Sequence, residues 1–365
     1  MKIVIAGGGT GGHLFPGIAV AEELVARGHQ VRFVGTARGI EARVCPRDGW
    51  ELDLIDVAGL KGGGLLGLLK GLYRVPRALL QSRKILRREK PDLVIGVGGY
   101  ASGPMVLAAA LGGVPTAILE QNSVPGITNR ILGRVVRRVF GSFAAAERFF
   151  PRQKYALVGN PVRGRVRLGL AAVAETPVER GLLVVGGSQG ARKVNELVAG
   201  AMERLQQEGK APRILHQTGE ADQAAIAARY ATAHIVGEAR AFIDDMASAY
   251  RGARLAVTRA GASTLAELTA LGVPSILIPL PTAADDHQTV NAAELADAGA
   301  AVLSIQKDTT PESLAALIGE LLADEARLGR MSDAARRLAK PHAHRVIVDA
   351  LEELGGVVRP HVAQS

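Results

Sequence analysis

The feature that most constrains the fold is a succession of strand, glycine-rich turn and helix that occurs twice in 365 residues. The first copy joins the apolar run KIVIA at 2–6 to the turn GGGTGGH at 7–13 and to a segment with helical apolar spacing at 14–27. The second copy starts at residue 181 with GLLVVGGSQGA and continues into the helical pattern KVNELVAGAMERL. Two such units predict two α/β domains, each built on a parallel sheet.

Further strand-like runs continue both copies. They lie at 31–35, 52–57, 93–99, 116–119, 137–141, 213–219, 234–237, 254–261 and 274–280. Because helical segments separate these runs, we predict doubly wound parallel sheets, that is, two Rossmann-like domains. Strand carboxyl ends and helix N-termini are then expected to point into a cleft that the two domains face.

We place the N-terminal domain at 1–160 and the C-terminal domain at 161–340, with a hinge near Gly159-Asn160-Pro161. A helix-like stretch in 341–365 is expected to pack back toward the N-terminal domain. Residues 93–119 carry no charge, but Pro104 and six glycines interrupt them, which favours buried strands and a short helix over a membrane span.

Cys45 is the only cysteine, which excludes an intramolecular disulfide. The N-terminus enters a strand pattern at once and has too short an apolar stretch for a signal peptide, so we expect a cytoplasmic protein. The charge is uneven: residues 1–180 carry 26 Lys and Arg against 13 Asp and Glu, whereas residues 181–365 carry 18 against 22. This asymmetry indicates an anionic partner for the N-terminal half, either nucleic acid or a lipid surface.

The first glycine turn matches G-x-G-x-x-G through Gly7, Gly9 and Gly12, a pattern that lets an anion approach the amides of a helix start. Dinucleotide sites also need an acid after the second strand, where this chain has Gly35-Thr36, so NAD binding is disfavoured. No P-loop motif is present either. The second turn, 186–190, suits a diphosphate because Ser188 adds a hydroxyl to the amides, although an ordinary strand–helix connection fits equally well.

Three groups of polar residues could carry chemistry. His13 stands where the first turn enters its helix, and an imidazole, with its ordinary pKa of about 6.5, suits a general base. Glu267, near a helix start, could accept both hydroxyls of a ribose or could simply complement the helix dipole. A polar cluster of Asp285, Asp286, His287, Gln288 and Asn291 follows an apolar strand, which favours a loop that recognises sugar or phosphate.

A basic, leucine-rich segment at 60–90 is typical of an interface with lipid, since leucines enter the headgroup region and cations meet anionic lipid. RNA binding is the rival, but it favours stacking aromatics, and Tyr73 is the only one here. A pair of ordinary helices with a solvated basic face remains the structural alternative. The residues that we expect to face the membrane are Leu65, Leu66, Leu68, Leu69, Lys70, Leu72, Arg74 and Arg77.

Eight motifs in order along nearly the whole chain carry a resemblance to a known family. They are GGGTGGHLFPGIAVAEEL, GVGGYASGP, LEQNSVPGITNR, VGNPVR, GGSQGA, FIDDM, RAGASTLAEL and DDHQTVNA. Each is modest alone, but together they closely resemble the MurG family, UDP-N-acetylglucosamine transferases of bacterial peptidoglycan synthesis. The resemblance implies a GT-B fold with two Rossmann-like domains.

The resemblance also implies an activity and a location. GlcNAc would pass from UDP-GlcNAc to the C4 hydroxyl of the muramyl sugar in undecaprenyl-linked lipid I, giving lipid II and UDP with inversion at the anomeric carbon. The enzyme would be peripheral on the cytoplasmic face of the inner membrane, on an anionic surface, with no nucleic-acid partner. No cofactor or metal is implied, and we do not interpret Asp244-Asp245 as a metal site.

The family pattern places substrate contacts at residues that these motifs share: Thr10, Gly11, Gly12, Asn122, Arg163, Ser188, Ile243, Ala262, Ser263, Thr264, Leu265, Ala266, Glu267 and Gln288. The first three would contact donor or acceptor phosphates, Asn122 the donor, and both Arg163 and Ser188 the nucleotide. Ile243 would hold uracil through its backbone, Glu267 the ribose and Gln288 the GlcNAc hydroxyls. His13 coincides with the family's proposed catalytic base.

Two other functions would use parts of the same sequence. A related GT-B transferase or a UDP-sugar epimerase could share the donor pocket, and an epimerase would release product without an acceptor. A non-enzymatic module that binds RNA or membranes would show salt-sensitive binding and consume no sugar nucleotide. Such a module would leave both glycine turns unexplained.

Overall fold

The computed structural model describes residues 1–57, 64–164, 181–187 and 190–357. For residues 64–75 it describes the backbone only. The chain divides into two compact units. The first comprises Met1–Arg163 together with the chain from His342 onward, and the second comprises Gly164–Pro341. Each unit is built on its own sheet.

The sheet of the first unit is parallel throughout, with the strand order β3-β2-β1-β4-β5-β6-β7. Its strands are β1 (Lys2–Gly7), β2 (Gln30–Gly35), β3 (Leu52–Leu54), β4 (Leu93–Gly98), β5 (Thr116–Glu120), β6 (Arg138–Gly141) and β7 (Tyr155–Leu157). The helices between them are α1 (Gly11–Ala26), α2 (Glu41–Arg47), α3 (Gly64–Glu89), α4 (Ser102–Leu111) and α5 (Ile127–Val135). The order reverses between β1 and β4, and this reversal is where parallel sheets bind ligands, beyond the strand carboxyl ends.

The sheet of the second unit is also parallel, in the order β10-β9-β8-β11-β12-β13. Its strands are β8 (Gly181–Val185), β9 (Ile214–Gln217), β10 (Gly237–Arg240), β11 (Ala253–Thr258), β12 (Ser275–Leu277) and β13 (Ala301–Leu303). Its helices are α6 (Arg192–Gln207), α7 (Gln223–Thr232), α8 (Met246–Arg251), α9 (Ala262–Leu271), α10 (His287–Asp297), α11 (Pro311–Ala323) and α12 (Glu325–Leu338). Here the order reverses between β8 and β11.

The last described helix, α13 (Ala343–Leu354), belongs to the first unit and packs against α1. Its apolar face, which includes Ile347 and Leu351, is buried in the same core cluster as Leu14 of α1. The buried Glu352 lies 3.0 Å from the Arg27 guanidinium and 2.7 Å from His29 Nε2. Burial of apolar side chains and these polar contacts together fix the helix on this unit.

The predicted fold class, two doubly wound parallel α/β domains, is confirmed, but individual elements differ from the sequence pattern. β7 and β13 are three-residue strands too short to show a period. The strand predicted at 234–237 instead begins at Gly237, because His234, with a φ of 55°, ends the preceding helical segment. Among the described residues, no helix combines the length and apolar character needed to cross a bilayer.

Candidate active site

The first glycine turn lies between β1 and α1, at the point where the strand order of its sheet reverses. Gly7, Gly8 and Gly9 have φ values of 142°, 138° and 84°, which disfavour any side chain. A Cβ on Gly7 would also overlap the Gly98 carbonyl of β4. The sequence therefore needs glycine here for backbone conformation and for close approach to β4.

The helix start after this turn is suited to an anion. Thr10 is the extended N-cap of α1 but makes no side-chain capping bond, and the first turn contains no acid. The first amides of any α-helix lack an intrahelical acceptor and attract negative charge. Thr10 and Gly12 are exposed and Gly11 is half-buried, so all three predicted phosphate contacts lie together at this helix start.

A buried carboxylate that the sequence pattern did not reveal accepts a hydrogen bond from the glycine turn. Glu41, the first residue of α2, is 1% exposed and accepts hydrogen bonds from the Gly9 amide at 2.7 Å and the Thr36 amide at 2.8 Å. The Thr36 hydroxyl donates a third at 3.0 Å. A Cβ on Gly8 or Gly35 would overlap Glu41. Both carboxylate oxygens of this residue therefore bind protein donors.

His13 lies over the end of β4, beside the turn. Its Nδ1 is 3.1 Å from Gln121 Oε1, and the Gln121 amide nitrogen is 3.0 Å from the Val97 carbonyl. A Cβ on Gly98 would come within 2.5 Å of His13 Nδ1, so glycine at 98 is what lets the imidazole occupy this position. The half-buried imidazole is therefore held in a defined orientation at the helix start.

The segment after β5 is ordered by another buried carboxyl group. Glu120 accepts hydrogen bonds from the Asn122 amide at 3.0 Å and from Asn129 Nδ2 at 2.9 Å. Burial raises the pKa of Glu120 to about 7, although both hydrogen bonds act to lower it. Asn122, which the family pattern places at the donor, is half-buried. Arg163 lies in the same unit, with its guanidinium 4.3 Å from the Phe15 ring centroid.

In the second unit, a buried glutamine at the end of a strand connects two loops. Gln217, at the end of β9, donates to the Gly187 carbonyl at 3.0 Å and accepts from the Ile243 amide at 2.9 Å. It therefore fixes the second glycine turn against the backbone that is predicted to hold uracil. Ser188, a predicted nucleotide contact, lies outside the described residues.

The segment Ala262–Glu267 forms the first turns of α9, directly after β11. Gly261 is its N-cap without a side-chain capping bond, and the first turn has no acid, so this helix start also attracts anions. The Leu265 side chain is buried in the core, so its predicted substrate contact would be made by backbone. Glu267, in contrast, accepts a hydrogen bond from the buried Tyr250 hydroxyl at 3.0 Å.

A buried arginine, also missed at the sequence level, secures the next strand end. Arg259 donates to the Ile278 and Pro279 carbonyls at 3.0 and 2.9 Å and to Gln306 Oε1 at 2.7 Å. Burial lowers the pKa of its guanidinium. These bonds fix the chain that leaves β12 and leads to the polar cluster at 285–291.

The polar cluster begins in a strained backbone. Asp285 and Asp286 both have a φ of 51°, which is uncommon for residues other than glycine and is often found at ligand sites. Gln288, in the first turn of α10, accepts from the Leu280 amide at 3.0 Å, and the buried Asn291 donates to the Ala260 carbonyl at 3.3 Å. Among the residues described, no group of three or more His, Cys, Asp or Glu could hold a metal ion.

The side chains of the predicted membrane-facing residues lie outside the described part of the structure, except for Arg77. Their backbone, from Gly64, is the N-terminal part of α3. Arg77 is exposed and lies 4.0 Å from Asp56. A second apolar surface was not predicted: Ile127, Ile131 and Val135, one turn apart on α5, are 66%, 52% and 46% exposed.

Comparison with known proteins adds an independent result. Residues 3–141 match the glycosyltransferase family 28 N-terminal domain, and residues 181–347 match the glycosyltransferase family 28 C-terminal domain. The chain is 50% identical over 356 residues to a UDP-N-acetylglucosamine–N-acetylmuramyl-(pentapeptide) pyrophosphoryl-undecaprenol N-acetylglucosamine transferase of Myxococcus xanthus, covering 97% of this chain and 93% of the relative. It is 48% identical over 359 residues to the transferase of that name from Geobacter metallireducens, covering 96% and 98%.

A solved structure agrees with these relatives. The crystal structure of MurG from Acinetobacter baumannii superposes with a TM-score of 0.78 at 35% identity, covering 96% of this chain and 99% of that one. The match spans both units, so the architecture of this chain is that of a GT-B glycosyltransferase.

Proposed function

The chain belongs to glycosyltransferase family 28, and we propose that it transfers GlcNAc from UDP-GlcNAc to the C4 hydroxyl of the muramyl sugar of lipid I, forming lipid II and UDP. The observation that carries this proposal is near-complete alignment, at 48–50% identity, with transferases whose names state that donor and that acceptor. The two anion-binding helix starts support it, because donor and acceptor each contain a diphosphate.

The donor is assigned to the second unit. The N-terminus of α9 would receive the diphosphate, and Glu267, oriented by Tyr250, would accept the ribose hydroxyls. The Ile243 carbonyl would accept the uracil N3–H, since the amide of the same residue donates to Gln217. Gln288 would contact the GlcNAc hydroxyls from the start of α10.

The acceptor is assigned to the first unit. The uncapped start of α1 would receive its diphosphate through Thr10, Gly11 and Gly12. His13 would take the proton of the C4 hydroxyl as that oxygen attacks the anomeric carbon of GlcNAc. The bond from that carbon to the β-phosphate oxygen breaks, and the electron pair leaves with UDP. A single displacement of this kind inverts the anomeric configuration.

No metal ion is needed in this scheme for the charge that develops on UDP. Aligned amides at a helix start stabilise a leaving diphosphate electrostatically, and a preorganised donor costs little reorganisation during the reaction. By the family pattern, Asn122 and Arg163 would add contacts to the donor nucleotide.

We further propose that the first unit binds an anionic lipid surface, on the cytoplasmic face of the inner membrane, and no nucleic acid. The α5 surface supports this, because its three exposed apolar side chains lie on a helix that also carries the exposed Arg134. Apolar side chains with neighbouring cations are the requirement for peripheral attachment to anionic lipid.

The reaction is tested by incubating the purified chain with UDP-GlcNAc in the presence and absence of lipid I. We expect UDP release only when lipid I is present. Release of a free epimerised sugar nucleotide or sugar without the acceptor would instead assign the chain to the epimerases, and binding without any consumption of UDP-GlcNAc would make it a non-enzymatic module.

A further inference from the structure

The contacts of Gln121 determine which nitrogen of His13 carries a proton. Gln121 is 2% exposed, and its side-chain amide lies between two groups, the Val97 carbonyl at 3.0 Å and His13 Nδ1 at 3.1 Å. A backbone carbonyl can only accept a hydrogen bond, so the amide nitrogen of Gln121 must face Val97. The reverse orientation would oppose two oxygens in a buried place, which costs the free energy of an unsatisfied polar group.

The orientation of the amide fixes the imidazole. With its nitrogen directed to Val97, Gln121 presents Oε1 to His13, and this oxygen is an acceptor only. His13 Nδ1 must therefore be the donor. In the neutral imidazole one nitrogen carries hydrogen and the other the lone pair, so the lone pair is on Nε2.

We propose that Gln121 is a positioning residue that holds neutral His13 as the Nδ1–H tautomer and so reserves Nε2 as the atom that accepts the proton of the acceptor hydroxyl. This inference rests on the proposed role of His13 as the base. It gives the buried glutamine the orienting function that a third group commonly has beside a catalytic histidine.

Two features of the fold keep the arrangement of Gln121 and His13 rigid. Gly98 leaves room for the ring, since a Cβ there would lie 2.5 Å from Nδ1. Gln121 directly follows β5, and Val97 lies in β4, its neighbour in the sheet, so the glutamine is held by two paired strands rather than by a flexible loop. Tautomer selection then follows from the sheet and does not require a bound substrate.

A matched pair of variants separates tautomer selection from packing. Gln121→Met keeps the length of the side chain but removes the acceptor. Gln121→Glu keeps an oxygen opposite Nδ1: an ionised carboxylate accepts from Nδ1–H, and a protonated one can donate to Val97 while its other oxygen accepts. We therefore expect only the first variant to release the tautomer.

The direct test is nitrogen-15 NMR of the His13 ring in the full chain, at a pH at which the same spectra show a neutral imidazole. We expect wild type and Gln121→Glu to have a protonated Nδ1 and an unprotonated Nε2, and Gln121→Met to lose that preference. A proton on Nε2 in the wild type overturns the inference, whatever the activity of the variants.

The kinetic test measures lipid II formation by the same proteins. We expect Gln121→Met to lower kcat about 10- to 100-fold, part of the contribution of a general base, with the KM for UDP-GlcNAc unchanged within about twofold. Unchanged kcat in Gln121→Met, together with inactive His13→Ala, overturns the positioning role alone. Full turnover by His13→Ala instead overturns the proposed base, and the NMR result then still decides the tautomer.

Discussion

The hydroxyl of Tyr250 donates a hydrogen bond of 3.0 Å to Oε2 of Glu267, and both residues are buried. The bond joins the end of α8 to the sixth residue of α9 and orients the carboxylate. If Glu267 holds the donor ribose, this orientation is part of nucleotide recognition, and the tyrosine contributes to affinity without touching the substrate.

Replacing Tyr250 with Phe removes that bond and keeps the aromatic ring. A neutral hydrogen bond contributes about 0.5–1.5 kcal/mol, so we expect the KM for UDP-GlcNAc to rise about 2- to 10-fold with a smaller change in kcat. Steady-state kinetics with varied UDP-GlcNAc measure this. Tyr155→Phe, which removes a hydroxyl bonded to the Phe143 carbonyl in the first unit, is the matched control and should leave that KM unchanged. Equal KM values in all three proteins would mean that the Tyr250 hydroxyl does not contribute to donor binding.

His13→Ala tests the catalytic base. General base catalysis contributes about 10²–10⁴-fold, so we expect a fall in kcat of that size while UDP binding, measured by calorimetry, stays within about twofold. A variant that retains wild-type turnover would remove His13 from the mechanism. A variant that loses UDP binding as well would give the residue a role in the donor site.

Glu41→Gln tests the carboxylate that binds the first glycine turn. The variant replaces one charged acceptor oxygen by a donor that faces the Gly9 or Thr36 amide, so we expect the free energy of unfolding to fall by about 1–3 kcal/mol. Denaturant unfolding measures it. The exposed Glu353 offers the control, since Glu353→Gln should change stability by less than about 0.5 kcal/mol. Equal stability of both variants would mean that the turn does not depend on Glu41.

These contacts show what the sequence could reveal and what it could not. Gly7, Gly8 and Gly9 were recognisable because a positive φ is a local requirement, and local requirements leave a local pattern. The roles of Glu41 and Gln121 were not, because Gly9 lies 32 residues from Glu41 and His13 lies 108 residues from Gln121, and only the fold brings each pair together.

The same distinction applies to the elements. Long apolar runs such as β1 and β4 were predicted because parallel strands buried on both faces are continuously apolar. The three-residue strands β7 and β13 have no such pattern, and they exist because a neighbouring strand supplies hydrogen-bond partners. The exposed stripe on α5 was hidden because its spacing is also that of a helix facing a core.

Glu120 predicts a pH dependence of stability. Burial raises the pKa of this carboxyl group from 4.5 to about 7, so between these values the folded chain keeps a proton that the unfolded chain has released. Stability of the wild type therefore falls as the pH rises through this window, by about 3 kcal/mol in total.

Glu120→Gln removes the titrating group. We expect the difference in unfolding free energy, variant minus wild type, to become more positive from pH 4.5 to 7 and then to level off. Denaturant unfolding at several pH values measures it, with Glu353→Gln as the exposed control. A difference that stays constant with pH would show that Glu120 is ionised in the folded protein throughout.

The proposed membrane surface is tested by co-sedimentation with vesicles that contain anionic phosphatidylglycerol. Removing apolar area costs about 25 cal/mol per Å², so we expect the triple change of Ile127, Ile131 and Val135 to Ser to weaken binding at least tenfold. Changing Lys70, Arg74 and Arg77 to Ser should weaken it further, and added salt should reduce that second effect. Val236→Ser, at an exposed apolar position of the second unit, is the control. If both triple variants bound the vesicles as well as the wild type, these residues would have no role in lipid binding.

The transfer of GlcNAc to lipid I is tested most directly by following labelled sugar from UDP-GlcNAc or UDP-GalNAc into the lipid fraction. We predict that the purified chain converts lipid I to a lipid-linked disaccharide with UDP-GlcNAc and does so much more slowly with UDP-GalNAc. His13→Ala should not reach the wild-type rate with either donor. A purified, folded chain that leaves lipid I unchanged in the presence of UDP-GlcNAc would contradict the proposed function.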